Sequence, residues 1–347
     1  MIKKDLIEIL QPDDWHIHLR EGDILRLVAK YTSRINNRCV AMPNLRIPIT
    51  NSKLAINYRN EINNSLKDAS LKALIPCYLT DTLDLIDFEN ALINNIFFGA
   101  KLYPVNATTN SNYGISNIEK IFPALEILEK TNKYLLVHGE KVSNKIDIFD
   151  REKYFIDEEL TLIRNRFPEL KIVLEHVSSK YGADYVSETA NMAGTITPQH
   201  MLLTKNDVFG KDKINPHHYC MPIVKEEKDL ISLRKYACSG HEKFFLGTDS
   251  APHYVEDKTT SNNIKPGIFS APCSLELYAE IFDQENSLIN LESFSSINGP
   301  IFYNLPLNKD KIKLVKNKWI LDEYSQNDEV RIKNFYGGQE LNWKVKE

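Results

Sequence analysis

The sequence holds no apolar run of membrane-spanning length. Its opening, MIKKDLIEILQPDDW, starts on a lysine pair without the apolar core that a secretion signal needs. A cytoplasmic protein that meets no membrane is the expectation. Excess positive charge is missing too: Lys and Arg number 43 against 47 Asp and Glu, a net charge of -4, with no basic tail or stripe to follow a phosphate backbone. Nucleic acid is therefore not an expected partner. Cysteine is scarce and scattered, with Cys39, Cys77, Cys220, Cys238 and Cys273 odd in number and never spaced as CxxC. That excludes a disulfide framework and a thiolate zinc site. Cys39 and Cys77 fall inside apolar runs, where a thiol serves as a small hydrophobe. Gly/Ser linkers, low-complexity tracts and short-period repeats are also absent, so nothing marks an internal boundary.

What the chain does have is material for a large core: of its 347 residues, 42% are hydrophobic and 26% charged, the balance of a globular protein. That length suits one barrel with insertions. Short apolar runs followed by polar loop residues and then by helical periodicity recur at 15–19, 39–42, 74–79, 98–103, 134–138, 172–176, 194–196 and 244–247. Eight such units predict an α/β fold, a closed (β/α)8 TIM barrel. Helices at 52–66, 115–131, 157–166 and 226–237, apolar at three- and four-residue spacing, would form its outer ring. The chain reads as a single barrel domain over 1–347, with a C-terminal extension from about residue 300 packed on the barrel. Asn, Lys and Ile are abundant, as in an AT-rich coding background, and that bias accounts for many surface positions without a functional cause.

In Asp14-Trp15-His16-Ile17-His18-Leu19-Arg20, two histidines stand two apart on a predicted strand and so share a face. On a barrel strand that face points inward, where both imidazoles can meet one metal. His138 closes Tyr-Leu-Leu-Val-His and His176 closes Ile-Val-Leu-Glu-His, again at strand ends. Four neutral nitrogen donors suit zinc. The last predicted strand leads into Gly-Thr-Asp249-Ser-Ala-Pro-His253, placing a carboxylate at the barrel mouth, able to ligate a metal and to accept a proton from water. Lys101, in Gly-Ala-Lys-Leu-Tyr-Pro, falls among apolar neighbours at the same height, where a buried ammonium is costly. Beside two cations its charge has the wrong sign. Carboxylation by CO2 would turn the amine into a bridging carbamate. The pattern is that of a metal-dependent hydrolase.

At this point the chain resembles the amidohydrolase superfamily and, within it, the shorter bacterial-type class II dihydroorotases. The resemblance runs through Pro-Asp-Asp-Trp-His-Ile-His-Leu-Arg (12–20), Met-Pro-Asn-Leu (42–45), Ala-Lys-Leu-Tyr-Pro (100–104), Asn-Ala-Thr-Thr-Asn (106–110) and Leu-Val-His-Gly-Glu (136–140). It continues through Ile-Asp-Ile-Phe-Asp-Arg-Glu (146–152), Glu-His (175–176), Ile-Thr-Pro-Gln-His (196–200), Leu-Gly-Thr-Asp-Ser-Ala-Pro-His (246–253) and Asn-Gly-Pro (298–300). The stretch 256–267 departs from the familiar relative, which is cysteine-rich there, but touches no expected ligand.

The resemblance implies two Zn2+ per subunit held by His16, His18, carboxylated Lys101, His138, His176 and Asp249, with Asp249 as the catalytic proton carrier. It implies the reversible cyclisation of N-carbamoyl-L-aspartate to (S)-dihydroorotate, and a homodimer. It assigns Arg20, Asn44 and His253 to the substrate carboxylate, the backbone at Met221 and Ala271 to the ring edges, and Thr108 and Thr109 to a loop that closes over substrate. Arg20 is also a planar bidentate donor on the His18 face. His200, His217 and His218 are left out as ligands. The alternatives are a hydantoinase-like cyclic amide hydrolase, which Arg20, Asn44 and the two threonines argue against, and a non-catalytic scaffold, which the six-residue metal set argues against.

Overall fold

The computed structural model describes residues 2–3, 5–66, 71–211, 213–260 and 263–346; Ser261 and Asn262 of the divergent stretch lie outside them. A short antiparallel hairpin, β1 (Ile2–Lys3) and β2 (Leu6–Leu10), leads into the barrel. One parallel sheet contains β3 (Asp13–Ile17), β4 (Arg38–Ala41) and β5 (Lys72–Leu74). The other contains β6 (Cys77–Tyr78), β7 (Gly99–Leu102), β8 (Tyr134–Val137), β9 (Lys171–Leu174), β10 (Met192–Ile196) and β11 (Phe244–Leu246).

The predicted strand at 74–79 is thus two pieces, β5 and β6, separated by Ile75 and Pro76. Proline has no N–H to give to a ladder, so the pairing switches there from β4 to β7. The barrel closes where Ile17 bridges Ser250. His18 N–H donates to the Ser250 carbonyl at 3.0 Å and Asp249 N–H to the His16 carbonyl at 2.8 Å. Counting the interrupted strand once, eight positions close the TIM barrel. Most strands end one or two residues before the predicted limit, because the backbone leaves the ladder just where the histidines stand.

Below the mouth the barrel interior is filled by Trp15, Val40, Met42, Phe98, Tyr134, Leu136, Val173, Ala193, Phe245 and Tyr303, a packed layer drawn from successive strands. Tyr303 comes from beyond the strands and lies 4.5 Å, centroid to centroid, from Trp15. It is delivered by the helix Asn298–Phe302, whose Asn298 amide donates to the Phe244 carbonyl at 3.0 Å. Gly299 rests against the Trp15 indole, where any Cβ would overlap the ring. The Asn-Gly-Pro motif is therefore a floor fitting. Gly299→Ala should destabilise the protein by about 1–3 kcal/mol through overpacking, read as a lower urea midpoint; an unchanged midpoint would contradict this packing role.

Helices surround the barrel. The predicted 52–66 and 226–237 appear as Ser52–Ser65 and Glu227–Cys238. The predicted 115–131 starts later, as a 3-10 turn at Ile118–Ile121 followed by Phe122–Lys130, because the Asn117 side chain caps the Glu119 N–H at 2.9 Å. The predicted 157–166 starts earlier, at Arg151–Phe155, and passes through a π turn at Ile156–Leu160 before Thr161–Arg166. Beyond residue 300 come β12 (Lys311–Ile320), β13 (Tyr324–Gln326), β14 (Arg331–Lys333) and β15 (Glu340–Val345). β12 and β15 join the opening hairpin in an antiparallel sheet of order β1-β2-β12-β15. This sheet is tied to the barrel's helix Ser274–Gln284 where Trp343 N–H donates to Glu280 at 3.0 Å. Among the described residues, no helix is long and apolar enough to cross a membrane.

Candidate active site

The end of β3 carries a register shift against β4 between Asp14 and Ile17. One extra residue there lets Trp15 fill the floor while His16 and His18 serve the mouth. Asp14 stabilises the irregularity. Its buried carboxylate accepts from His16 N–H at 3.2 Å, Thr248 N–H at 3.0 Å and the Thr248 hydroxyl at 2.6 Å, joining β3 to the segment after β11. Burial raises the Asp14 pKa to about 6, with the Thr248 and His16 bonds opposing.

Three donors converge at that seam. His16 Nε2 and His18 Nε2 are 3.4 Å apart and lie 3.2 and 3.1 Å from Asp249 Oδ1. Across the cavity, His138 Nδ1 and His176 Nε2 are 3.2 Å apart. His138 Nε2 lies 2.7 Å from Glu140 Oε2. Donation of its Nε2–H there leaves the Nδ1 lone pair facing His176, the usual way a carboxylate orients a metal-binding imidazole. The rings of His16 and His176 approach to 4.9 Å between centroids. Lys101, fully buried, reaches into the same space and pairs with Glu175. Glu175 Oε1 also lies 2.9 Å from His16 Nδ1, without hydrogen-bond alignment.

The electrostatics say what this donor set lacks. Burial pulls His16 down, but the Glu175 and Asp249 carboxylates outweigh it and push its pKa up to about 9. Burial drives His18 down to about 3 and His176 well below the usual range. It also lowers Lys101, against the pull of Glu175. Asp249 stays well below the ordinary carboxylate range because bonds from His16 and His18 outweigh its burial. A cluster that draws a proton onto a buried imidazole is short of positive charge. Neutral nitrogens and carboxylate oxygens within coordination distance of one point suit a divalent cation.

The space above these donors is a narrow, nearly filled cavity of about 10 Å3, walled by Arg20, Asn44, Tyr103, Thr108, Thr109 and Met221 among others. The predicted loop at 104–114 lies across it. The Asn44 amide donates to the Thr109 carbonyl at 2.9 Å, the Asn110 amide to the Asn44 carbonyl at 3.0 Å, and the Thr109 hydroxyl reaches the Pro266 carbonyl at 3.5 Å. His253 stands behind Arg20 rather than on the cavity wall, its Nε2 lying 3.0 Å from the guanidinium. Arg20, His176 and Asp249 have positive φ of 60°, 41° and 45°. Such backbone is costly for non-glycine residues and collects at functional sites.

Ala271 is a correction. Its N–H donates to Ser250 Oγ at 3.0 Å, and the residues of that segment that line the cavity are Pro266 and Gly267. Gly267, at φ 148°, lies so close to Ala251 and His253 that a side chain would collide. Pro266 and Gly267 lie at the end of the divergent stretch, so position could not be carried through it from the resemblance. Sequence reasoning also missed Glu140, Glu175 and Tyr103. For the two glutamates the available signal was a carboxylate inside or just past an apolar strand, which demands a buried partner. His200 donates from Nε2 to the Pro222 carbonyl at 2.9 Å and supports the Met221 segment; His217 and His218 sit on the separate turn Pro216–His218.

Residues 9–316 match the amidohydrolase family. The dihydroorotase of Buchnera aphidicola subsp. Schizaphis graminum is 43% identical over 342 residues, 98% of this chain and 97% of that protein. The chain belongs to the amidohydrolase family, among the dihydroorotases. Of solved structures, the Campylobacter jejuni dihydroorotase superposes on this amidohydrolase with a TM-score of 0.91 at 33% identity, covering 100% of this chain and 99% of that one. The Saccharomyces cerevisiae dihydroorotase, solved with 5-fluoroorotic acid, gives a TM-score of 0.92 at 29% identity over 99% and 98%.

Proposed function

We propose that this amidohydrolase interconverts N-carbamoyl-L-aspartate and (S)-dihydroorotate, the cyclisation step of pyrimidine biosynthesis, as a cytoplasmic homodimer with two Zn2+ per subunit. The observation that carries the reading is the convergence of His16, His18 and Asp249 on one point beneath a cavity that also holds Arg20. His16, His18 and Asp249 would hold one ion, His138 and His176 the other, with carboxylated Lys101 between them. Bound zinc would supply a water acidified to near neutral pH and a polarised amide carbonyl.

The chain's own groups do the rest. Arg20, with Asn44 and His253 beside it, takes the substrate carboxylate as a charge-assisted pair. Thr108 and Thr109 approach from the loop, and the loop's bonds to Asn44 and Pro266 exclude water from the cavity. During ring opening Asp249 Oδ accepts the proton of the attacking water and returns it to the departing ring nitrogen; cyclisation runs the same transfers backwards. Met221, Pro266 and Gly267 present backbone to the ring edges.

Ring opening of dihydroorotate, followed by loss of its ultraviolet absorbance with metal measured on the same sample, tests the reading. Activity with about two zinc ions per chain, lost on chelation and regained on zinc addition, is the expected result. Metal binding without turnover of dihydroorotate would overturn the substrate and leave the site. Arg20→Ala should raise KM by about 10- to 100-fold, as expected for a lost charge-assisted hydrogen bond worth 1.5–3 kcal/mol. An unchanged KM would remove Arg20 from carboxylate recognition.

A further inference from the structure

Behind Gly267 and His253, which form part of its wall, lies a second cavity of about 250 Å3. It is enclosed by the turn Pro216–His218, by Lys258, Gly267 and Phe269, and by the C-terminal turn that follows β14. The barrel alone does not make this space; the extension supplies one whole side. At its base is Lys258, only 5% exposed, whose ammonium donates to the Tyr219 carbonyl at 3.1 Å and to the Gly267 carbonyl.

Two neutral carbonyls leave one of the three ammonium N–H groups over and supply no counter-charge. Among the described residues no carboxylate lines the cavity. Lys333 on its rim is already paired with Glu323 at 2.7 Å, and His218 with Asn215 at 3.0 Å. The half-buried His217 ring has no side-chain partner among the described residues. Burial, then the Lys258 charge, push His217 down to about 4, and burial brings Lys258 to about 7. Burial is the main cause of both shifts, and no carboxylate lining the cavity offsets it.

We propose that this cavity is a second anion site, taking a small oxyanion, the phosphate or carboxylate group of a ligand, on the Lys258 ammonium with His217 and the Gln339 amide as neutral donors. The buried amine is the costly element of such a site and is already in place, and a bound anion would favour its charged form. The rival role is a purely structural one, with Lys258 stapling the Tyr219 and Gly267 backbones together.

Calorimetric titration of the metal-loaded protein with inorganic phosphate and, separately, with succinate at constant ionic strength distinguishes these. The expected result is saturable binding of one probe ion per chain that survives Arg20→Ala, which disables the reaction cavity's own anion donor. Binding should weaken by about tenfold or more in Lys258→Met and in His217→Ala, as for loss of a charge-assisted contact. No saturable binding of either probe overturns the proposal. So does binding abolished by Arg20→Ala and kept in Lys258→Met, which places the ion in the reaction cavity. Should Lys258→Met fail to fold, His217→Ala and Gln339→Leu carry the test, and undiminished binding in both rejects the site.

Discussion

Asp249→Asn is expected to keep the barrel intact and to lower turnover in both directions by about 100- to 10,000-fold, the range over which a positioned general acid–base group acts. Asparagine is nearly isosteric, and it tolerates the left-handed backbone that position 249 requires, φ 45°. The N–H of residue 249, which closes the barrel on the His16 carbonyl at 2.8 Å, is unaffected by the change. What disappears is the negative charge that His16 and His18 face at 3.2 and 3.1 Å, and with it the ability to carry a proton. Because Asp249 is also a proposed ligand, metal content must be measured on the same sample. A variant that retains metal and loses turnover supports the proton carrier. Substantial turnover by a metal-loaded variant would overturn that role.

Glu175→Ala is expected to cost the metal-free protein about 3–5 kcal/mol, the usual penalty for stranding one member of a buried ion pair. Lys101 is fully buried, and Glu175 is the carboxylate it pairs with. Burial alone would raise Glu175, yet the His16 and Lys101 charges hold it below the ordinary carboxylate range, so the carboxylate is a real counter-charge. The loss has a ceiling, since a stranded amine can shed its proton. In the variant the folded-state pKa of Lys101 falls further below its unfolded value, the unfolded chain binds more protons, and stability rises with pH. The variant's urea midpoint should therefore climb between about pH 6 and pH 9 by more than that of the parent. Adding Lys101→Met should recover much of the loss, because the uncompensated charge goes with it. Equal midpoints for parent and variant would show that Lys101 does not depend on Glu175.

The barrel was legible from the chain because its signal is local and repeated. Each apolar run followed by an amphipathic stretch reports its own strand and helix, and eight of them leave little choice of architecture. His16, His18, Lys101, His138, His176 and Asp249 were legible for the same reason: side-chain direction alternates along a strand, so residues at successive strand ends point to one mouth. The exceptions are instructive. Alternation from the interior residue Val173 sends Glu175 inward and His176 outward, and only the positive φ of His176, 41°, returns the imidazole to the site. Periodicity cannot see such a turn.

What the sequence by itself determined is therefore the strand count, the donor types and their common end of the barrel. Tertiary structure alone decided the pairings that link distant segments. Lys101 meets Glu175, and Asp14 reaches across the seam to Thr248. It also decided that Pro266 and Gly267, not Ala271, wall the cavity, and that Tyr303 and Gly299 complete the floor beneath Trp15. Local patterns set direction and spacing along one element. The partner of a buried charge or the neighbour of a ring depends on how elements far apart in the chain meet, and no residue carries that information alone.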